Sequence, residues 1–155
     1  MDEFWTEVER EALSKVTSYE EAADVAIALL ARMKAVGKPI VQICGPMSTG
    51  GLGNLRENMQ RFQHAVEVAI AKGVTVFNQV VFQETIVRLS KYEEGVKEYD
   101  MDILEVFYRR VFEAGYIDAF MFLPGWESSV GTVWERDMAT KLGIEIQEYP
   151  IEWLT

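Results

Sequence analysis

The sequence predicts an α/β protein built on a parallel sheet, and three observations support this prediction. Short apolar runs suited to buried strands alternate along the chain with apolar stripes of helical spacing. The helical stripes end at glycines 37, 73, 115 and 143. Two glycine-containing loops each follow an apolar run and open a helix. Strands that alternate with helices require right-handed crossovers, so we expect four to five parallel strands covered on both faces.

The N-terminal segment, residues 3–36, has a helical pattern. Ser18 and Glu21 have the spacing of a capping box before an apolar stripe that ends at Gly37. We therefore expect residues 1–37 to form a helical extension and residues 38–155 to form the α/β domain. A length of 155 residues suits one compact domain overall.

Four strands are predicted in the α/β part, at residues 38–44, 74–77, 116–123 and 144–147. The helices between them are predicted at 54–72, 98–114 and 131–142. Residues 78–97 are too apolar for a free loop, so we expect a short helix, a lid beside the site or an oligomer contact there. The aromatic residues of the tail, 149–155, are expected to be exposed and to dock on a neighbour.

The composition excludes several function classes. A net charge of -10 and a pI of about 4.6 argue against a nucleic-acid polymer or an anionic membrane as partner. The single cysteine, Cys44, excludes an intrachain disulfide, and His64 is the only histidine, so no metal site is expected. No organic cofactor is implied either. No apolar run reaches the roughly 18 residues of a membrane span. The acidic N-terminus lacks the charge pattern of a signal peptide, so we expect a cytoplasmic protein.

The first glycine-containing loop, GPMSTGG at 45–51, has the composition of an anion-binding loop. Glycine allows close backbone approach to a ligand, and the helix start that follows favours negative charge. The alternatives are an ordinary connection, a cap role for the asparagine before the helix, and a wall role for the methionine. The candidate substrate- or phosphate-binding residues here are Gly45, Met47, Ser48, Thr49, Gly50 and Asn54.

The second loop, LPGWESSVG at 123–131, leads into a helix that carries Glu135 one turn after its start. Glu135 either supplies a reacting carboxylate or simply favours the helix dipole. A loop tryptophan could stack on a base, close the pocket or only pack. The serines and glycine before the helix could bind phosphate, cap the helix or do both. The candidate binding residues here are Trp126, Glu127, Ser128, Ser129 and Gly131.

Asn78 ends the second predicted strand and could bind a base or ribose, or only satisfy local backbone. In a parallel sheet, loops at the carboxyl ends of the strands line the crevice where ligands bind. An anion loop beside a carboxylate therefore predicts an enzyme that acts on a phosphorylated small molecule.

Residues 40–147 resemble the nucleoside 2-deoxyribosyltransferase-like family, including its 2'-deoxynucleoside 5'-phosphate N-hydrolase-like members. The matching motifs are GPM at 45–47, Asn54, Phe62, GVTVFN at 73–78, DIL at 102–104, LPGWE at 123–127, Gly131 and Glu135. The resemblance is greatest to a branch with GPM, FNP and LPGWE-S-G-E motifs, from which Gln79 departs because the branch has proline there. It implies a flavodoxin-like, Rossmann-like three-layer fold and homodimers or higher homo-oligomers.

The resemblance also implies cleavage of the N-glycosidic bond of a nucleoside or nucleoside 5'-monophosphate, with Glu135 as nucleophile and Asp102 as second acid. Asp100 and Asp118 are rivals of Asp102, because the stretch 102–118 is longer than in compact members. Family members that hydrolyse nucleotides have a serine six residues before the nucleophile, and Ser129 occupies that place. Hydrolase and base-exchange transferase both remain open. The alternatives are a non-catalytic nucleotide or nucleotide-sugar sensor and an assembly protein.

Overall fold

The computed structural model describes residues 4–47, 51–90 and 100–154, and in them a four-stranded parallel sheet confirms the predicted α/β class. The strands lie in the order β2-β1-β3-β4, which is the start of the flavodoxin-like order. Every neighbouring pair is parallel. The strands are β1 (Ile40–Cys44), β2 (Thr75–Val76), β3 (Ala119–Phe122) and β4 (Glu145–Glu148).

The helices alternate with these strands, as the sequence predicts. They are α1 (Glu7–Lys15), α2 (Tyr19–Lys34), α3 (Leu55–Ala71), α4 (Gln83–Leu89), α5 (Arg109–Glu113) and α6 (Val130–Leu142). A 3-10 turn (Gln79–Phe82) precedes α4, which confirms the short helix expected within 78–97. A π-helical segment (Ile103–Tyr108) precedes α5. Within the described residues, no helix combines the length and apolar character that crossing a membrane requires.

Side-chain caps define where several helices begin. Ser18 Oγ accepts a hydrogen bond from the Glu21 N–H at 3.1 Å, and Asn54 Oδ1 accepts one from the Glu57 N–H at 2.8 Å. The N-terminal segment predicted to be helical forms two helices, α1 and α2, and the second begins after the predicted Ser18 cap. Val16 has extended backbone, so α1 ends at Lys15 and the Ser18 cap starts a new helix.

The chain divides into two compact units. One contains Met1–Gly37 and Gln79–Tyr116, and here α2 packs against α1, α4, α5 and the π-helical segment. Its aromatic core includes Phe82 and Phe107, whose ring centroids lie 5.7 Å apart. The helices of residues 1–37 therefore share a hydrophobic core with residues from the middle of the chain.

The second unit contains Lys38–Asn78 and Ile117–Thr155, and it holds the whole sheet. Helix α3 packs on β1 and β2, and α6 packs on β4. Both β1 and β3 are buried along their entire length, as expected for central parallel strands.

The tail packs within this second unit, so the expectation of exposed aromatics is wrong for Tyr149. Tyr149 is buried, and its hydroxyl donates a hydrogen bond to the Ala65 carbonyl of α3 at 2.9 Å. The ring of Trp153 lies edge-on to Tyr149, with centroids 5.4 Å apart. The polar tip of Tyr149 is thus satisfied by the backbone of α3, which allows its ring to be buried.

Strand register brings the carboxyl ends of three strands to one edge of the sheet. Cys44 of β1 pairs with Phe122 of β3, which pairs in turn with Glu148 of β4. The chain leaves β1 toward β2 on one side and leaves β3 toward β4 on the other. The carboxyl ends of β1 and β3 therefore form a topological switch point, which is where α/β proteins bind ligands.

Candidate functional site

Glu135 is a buried carboxylic acid on the inner face of α6. Its relative exposure is 7 %, and it shares that face with Thr132, Met138 and Ala139 at helical spacing. Its Oε2 accepts hydrogen bonds from Gln42 Nε2 at 2.7 Å and from Cys44 Sγ at 3.4 Å. Both donors belong to β1, so α6 places the carboxyl group against the central strand, close to the carboxyl end of that strand.

Burial controls the proton affinity of this cluster. Removal from water raises the pKa of Glu135 from its ordinary 4.5 to about 7, and the hydrogen bonds from Cys44 and Gln42 lower it in part. Burial, followed by the nearby Glu135 carboxylate, raises the pKa of the Cys44 thiol well above its usual range. Glu135 therefore changes charge near neutral pH, whereas Cys44 remains a protonated donor and a poor nucleophile.

Two buried polar atoms beside Glu135 have no hydrogen-bond partner among the described residues. They are Gln42 Oε1 on β1 and Thr132 Oγ1, which lies three residues before Glu135 on α6. Both side chains are almost fully buried. An unsatisfied buried polar group costs about 1–3 kcal/mol, so these atoms indicate a place that a ligand or water completes.

The two loops of the predicted site meet at Ser128. Its Oγ accepts a hydrogen bond from the Gly51 N–H at 2.7 Å and donates one to the Gly125 carbonyl at 2.7 Å. Arg61 of α3 adds a second tie, because its Nη2 donates to the Pro124 carbonyl at 2.6 Å. The expectation that both loops leave the same edge of the sheet side by side is confirmed.

Asn58 holds the first loop from within α3. Its Oδ1 accepts a hydrogen bond from the Leu52 N–H at 2.8 Å, and its Nδ2 donates to the Met47 carbonyl at 3.1 Å. Gly51, with φ of +63°, approaches closely, because a Cβ there would lie 2.6 Å from Asn58 Oδ1. One buried amide therefore fixes both ends of the segment that contains Ser48, Thr49 and Gly50, which lie outside the described residues.

Gly45 has a packing role at the end of β1. A Cβ at this position would lie 2.5 Å from Leu123 Cδ1, at the start of the second loop. Only glycine allows the two loops to leave the sheet this close together. Met47, two residues later, is half-buried and offers its backbone carbonyl to Asn58.

Trp126 packs within the second loop. Its ring lies edge-on to Phe122 with centroids 5.8 Å apart, and the guanidinium of Arg136 lies 4.2 Å from its ring centre. Arg136 also forms an ion pair with Glu148, at 3.1 Å. The cation–π contact of Arg136 with Trp126 and its ion pair with Glu148 together hold the second loop against the end of the sheet.

The other candidates of the sheet unit occupy varied positions. Ser129 is buried and caps α6, with its Oγ 3.4 Å from the Thr132 N–H that donates to it. Gly131 is the second residue of α6, and Asn54 caps α3. Asn78 is half-buried after β2, and Glu127 is exposed.

The acids considered for the second catalytic role are Asp118, Asp102 and Asp100. Asp118 precedes β3 and accepts a hydrogen bond from the Ile40 N–H at 2.8 Å, at the amino ends of the strands. It therefore lies at the opposite edge from the candidate site and is wrong as a rival. Asp102 is exposed in the helical unit and makes no side-chain cap. The Asp102 N–H donates a hydrogen bond to Asp100 Oδ1 at 3.0 Å.

Sequence reasoning missed four side chains that build this site: Gln42, Asn58, Thr132 and Arg136. Gln42 is the single polar residue within the buried strand pattern IVQIC, and Asn58 precedes Phe62 by one helical turn on an apolar stripe. A polar residue that interrupts a buried apolar pattern was the available signal. In the described part of the chain, no group of three His, Cys, Asp or Glu side chains could hold a metal ion.

Fold and site together define a parallel α/β protein with a buried carboxylic acid at the switch point of its sheet. The chain belongs to the family described as "Domain of unknown function (DUF4406)", whose model matches residues 39–148. No curated protein and no solved structure matches the chain.

Proposed function

We propose that this protein cleaves the N-glycosidic bond of a nucleoside or deoxynucleoside 5'-monophosphate, with Glu135 as the nucleophile. The observation that carries the proposal is the Glu135 carboxyl group, buried at the switch point and held by Gln42. The resemblance of residues 40–147 to nucleoside 2-deoxyribosyltransferase-like proteins supports the same residue in the same role. We also propose homodimers or higher homo-oligomers in the cytoplasm, on the same resemblance and on the sequence pattern.

Breaking the bond between C1' and the base nitrogen leaves positive charge on the sugar ring. A carboxylate at C1' stabilises this charge or forms a C–O bond as the C–N bond breaks. The low polarity around Glu135 strengthens that interaction. The base departs with the bonding electrons and takes up a proton, for which Asp102 remains the candidate donor on the resemblance alone. Water or a second base then releases the sugar.

The paired loops fit the phosphate end of such a substrate. Ser128 and Ser129 lie at the start of α6, where backbone N–H groups and the helix dipole favour an anion. Gly51 approaches Ser128 from the other loop. The substrate phosphate would then lie at the N-terminus of α6 and the reacting carbon at Glu135, about one helical turn further on.

A base-release assay tests the proposal. Purified protein is incubated with ribo- and deoxyribonucleoside 5'-monophosphates of each base, and free base is followed by chromatography. We expect release by the wild type and a fall of at least about 10³-fold for Glu135→Gln. The matched control is Glu67→Gln, an exposed glutamate of α3, which should match the wild type.

Absence of base release from every nucleotide, or equal release by Glu135→Gln, overturns the catalytic proposal. In that case, thermal stabilisation by a nucleotide supports the alternative of a nucleotide-binding or sensor protein, because a ligand that binds only the folded state raises its stability.

A further inference from the structure

Of the two polar atoms of the Gln42 side-chain amide, only one forms a hydrogen bond with the described residues. Its Nε2 donates to Glu135 Oε2, while its Oε1 is buried without a partner among the described residues. An ionised carboxylate can only accept hydrogen bonds, so the amide must direct Nε2 toward Glu135 when Glu135 is charged. A buried acceptor is then left unsatisfied next to the group that reacts.

A second polar atom is unsatisfied on the same side of the sheet. Thr132 Oγ1 lies one helical turn before Glu135 on the buried face of α6, and it also has no partner in the described part of the chain. Two such atoms, one on each element that holds Glu135, can be satisfied by water or by a ligand, and a sugar would bring hydroxyl groups to this carboxylate.

The stereochemistry of a nucleotide determines which sugar hydroxyl lies closest to a carboxylate that attacks C1'. The base projects from one face of the sugar at C1', and a nucleophile that displaces it approaches from the opposite face. In ribose the 2'-hydroxyl lies on that opposite face, on the carbon next to C1'. A carboxylate in line with C1' is therefore on the same side as the 2'-hydroxyl, and Gln42 is hydrogen-bonded to that carboxylate.

We propose that Gln42 Oε1 accepts a hydrogen bond from the 2'-hydroxyl, so that the site selects ribonucleoside over 2'-deoxyribonucleoside 5'-monophosphates. This inference rests on the proposed function, because it needs Glu135 to face C1'. A deoxy substrate buries the acceptor without replacing the missing donor. Gln42 is here a specificity-determining residue in addition to positioning Glu135.

The test compares ribonucleotides with arabinonucleotides of the same base. Both carry a 2'-hydroxyl, which withdraws electrons from C1' in a similar way, but in arabinose it lies on the same face as the base. The comparison thus separates two effects of the 2'-hydroxyl: the sugar face on which it lies, which differs, and its electron withdrawal from C1', which is similar. We expect kcat/KM to favour the ribonucleotide by about tenfold, the size expected when one buried hydrogen bond is lost.

The variant that removes the acceptor is Gln42→Met, which has similar volume and no polar atom at the side-chain end. It should reduce the ribo-to-arabino ratio to within about twofold to threefold of unity, whatever its effect on the overall rate. The matched control is Gln147→Met, the same substitution on β4, where the Gln147 side chain donates a hydrogen bond to the exposed Glu145. This control should retain the wild-type ratio.

The binding affinities of the same nucleotides are measured by calorimetry and compared with the rates of base release. A ribo preference that Gln42→Met abolishes and Gln147→Met retains supports the inference, in turnover or in binding. Base release without such a preference, or a preference that Gln42→Met leaves intact, overturns the inference while the proposed function stands. Binding that shows the Gln42-dependent preference without base release overturns catalysis alone. Absence of both binding and release overturns both proposals.

Discussion

Gln42 Nε2 lies 2.7 Å from Glu135 Oε2, and this hydrogen bond joins the central strand of the sheet to the helix that follows β3. Among the residues that the structure describes, the Cys44 thiol is the one other hydrogen-bond donor to this carboxyl group. A neutral amide stabilises the charged form without neutralising it. Glu135 is therefore kept in place while its ionisation remains sensitive to pH near 7.

Glu135 should make the free energy of unfolding depend on pH. Its pKa is 4.5 in an ordinary, unfolded setting and about 7 when folded, so the unfolded chain binds fewer protons between these values. The stabilising effect of the neutral acid is fully present below pH 4.5 and is lost as pH rises through 7. The loss amounts to about 3 kcal/mol. Urea unfolding at pH 4.5 and pH 8 measures it.

The comparison that isolates this effect is Glu135→Gln, whose side chain stays neutral. The variant should become more stable relative to the wild type as pH rises, and Glu113→Gln, an exposed glutamate on α5, should not. A pH dependence identical in wild type and Glu135→Gln would mean that the carboxyl group is ionised freely in the folded protein.

Cys44 should resist alkylation in the folded protein. It is fully buried, and its pKa lies well above the usual thiol range, so little thiolate is present or accessible at pH 8. Intact-mass measurement after iodoacetamide treatment should show no adduct on the native protein and one adduct in urea. Rapid labelling of the native protein would contradict the buried placement beside Glu135.

Asn58→Ala should lower the free energy of unfolding by about 2 kcal/mol. The substitution removes the acceptor of the Leu52 N–H and the donor to the Met47 carbonyl, leaving both backbone groups without their partner. Urea unfolding measures the change. Gln63→Ala, on the exposed face of the same helix, is the control and should change stability by less than about 0.5 kcal/mol. Equal effects of the two substitutions would show that the amide does not hold the loop.

Ser128→Ala should weaken binding of the phosphate group specifically. The side chain is exposed, so stability should change by less than about 1 kcal/mol, but the Gly51 N–H loses its partner on the second loop. The affinity of a nucleoside 5'-monophosphate is compared with that of the same nucleoside in wild type and variant. We expect the ratio of nucleotide affinity to nucleoside affinity to be about tenfold smaller in the variant than in the wild type. A reduction that is equal for nucleotide and nucleoside would place the phosphate elsewhere.

Local sequence signals predicted much of the fold. The caps at Ser18 and Asn54 depend on residues three positions apart, and the strands depend on short apolar runs, so both can be read without knowledge of tertiary contacts. The meeting of the two loops follows from the rule that parallel strands end at one edge. The end of α1 at Lys15 was not predicted, because no glycine or proline marks it in the sequence.

The partners of Glu135 could not be predicted in the same way. Gln42 and Glu135 are 93 positions apart, and their contact depends on strand register and on the rotation of α6. Tyr149 was expected to be exposed because its partner, the Ala65 carbonyl, is a backbone group that no sequence pattern reveals.

The central claim is tested most directly by a crystal structure of Glu135→Gln bound to a nucleoside 5'-monophosphate that the wild type cleaves. The variant keeps the shape of the site and prevents turnover. We predict the anomeric carbon within about 3.5 Å of the side-chain oxygen at position 135, and the phosphate against Gly51, Ser128 and Ser129. A nucleotide bound elsewhere, or one whose sugar faces away from position 135, would contradict the assignment of Glu135 as nucleophile.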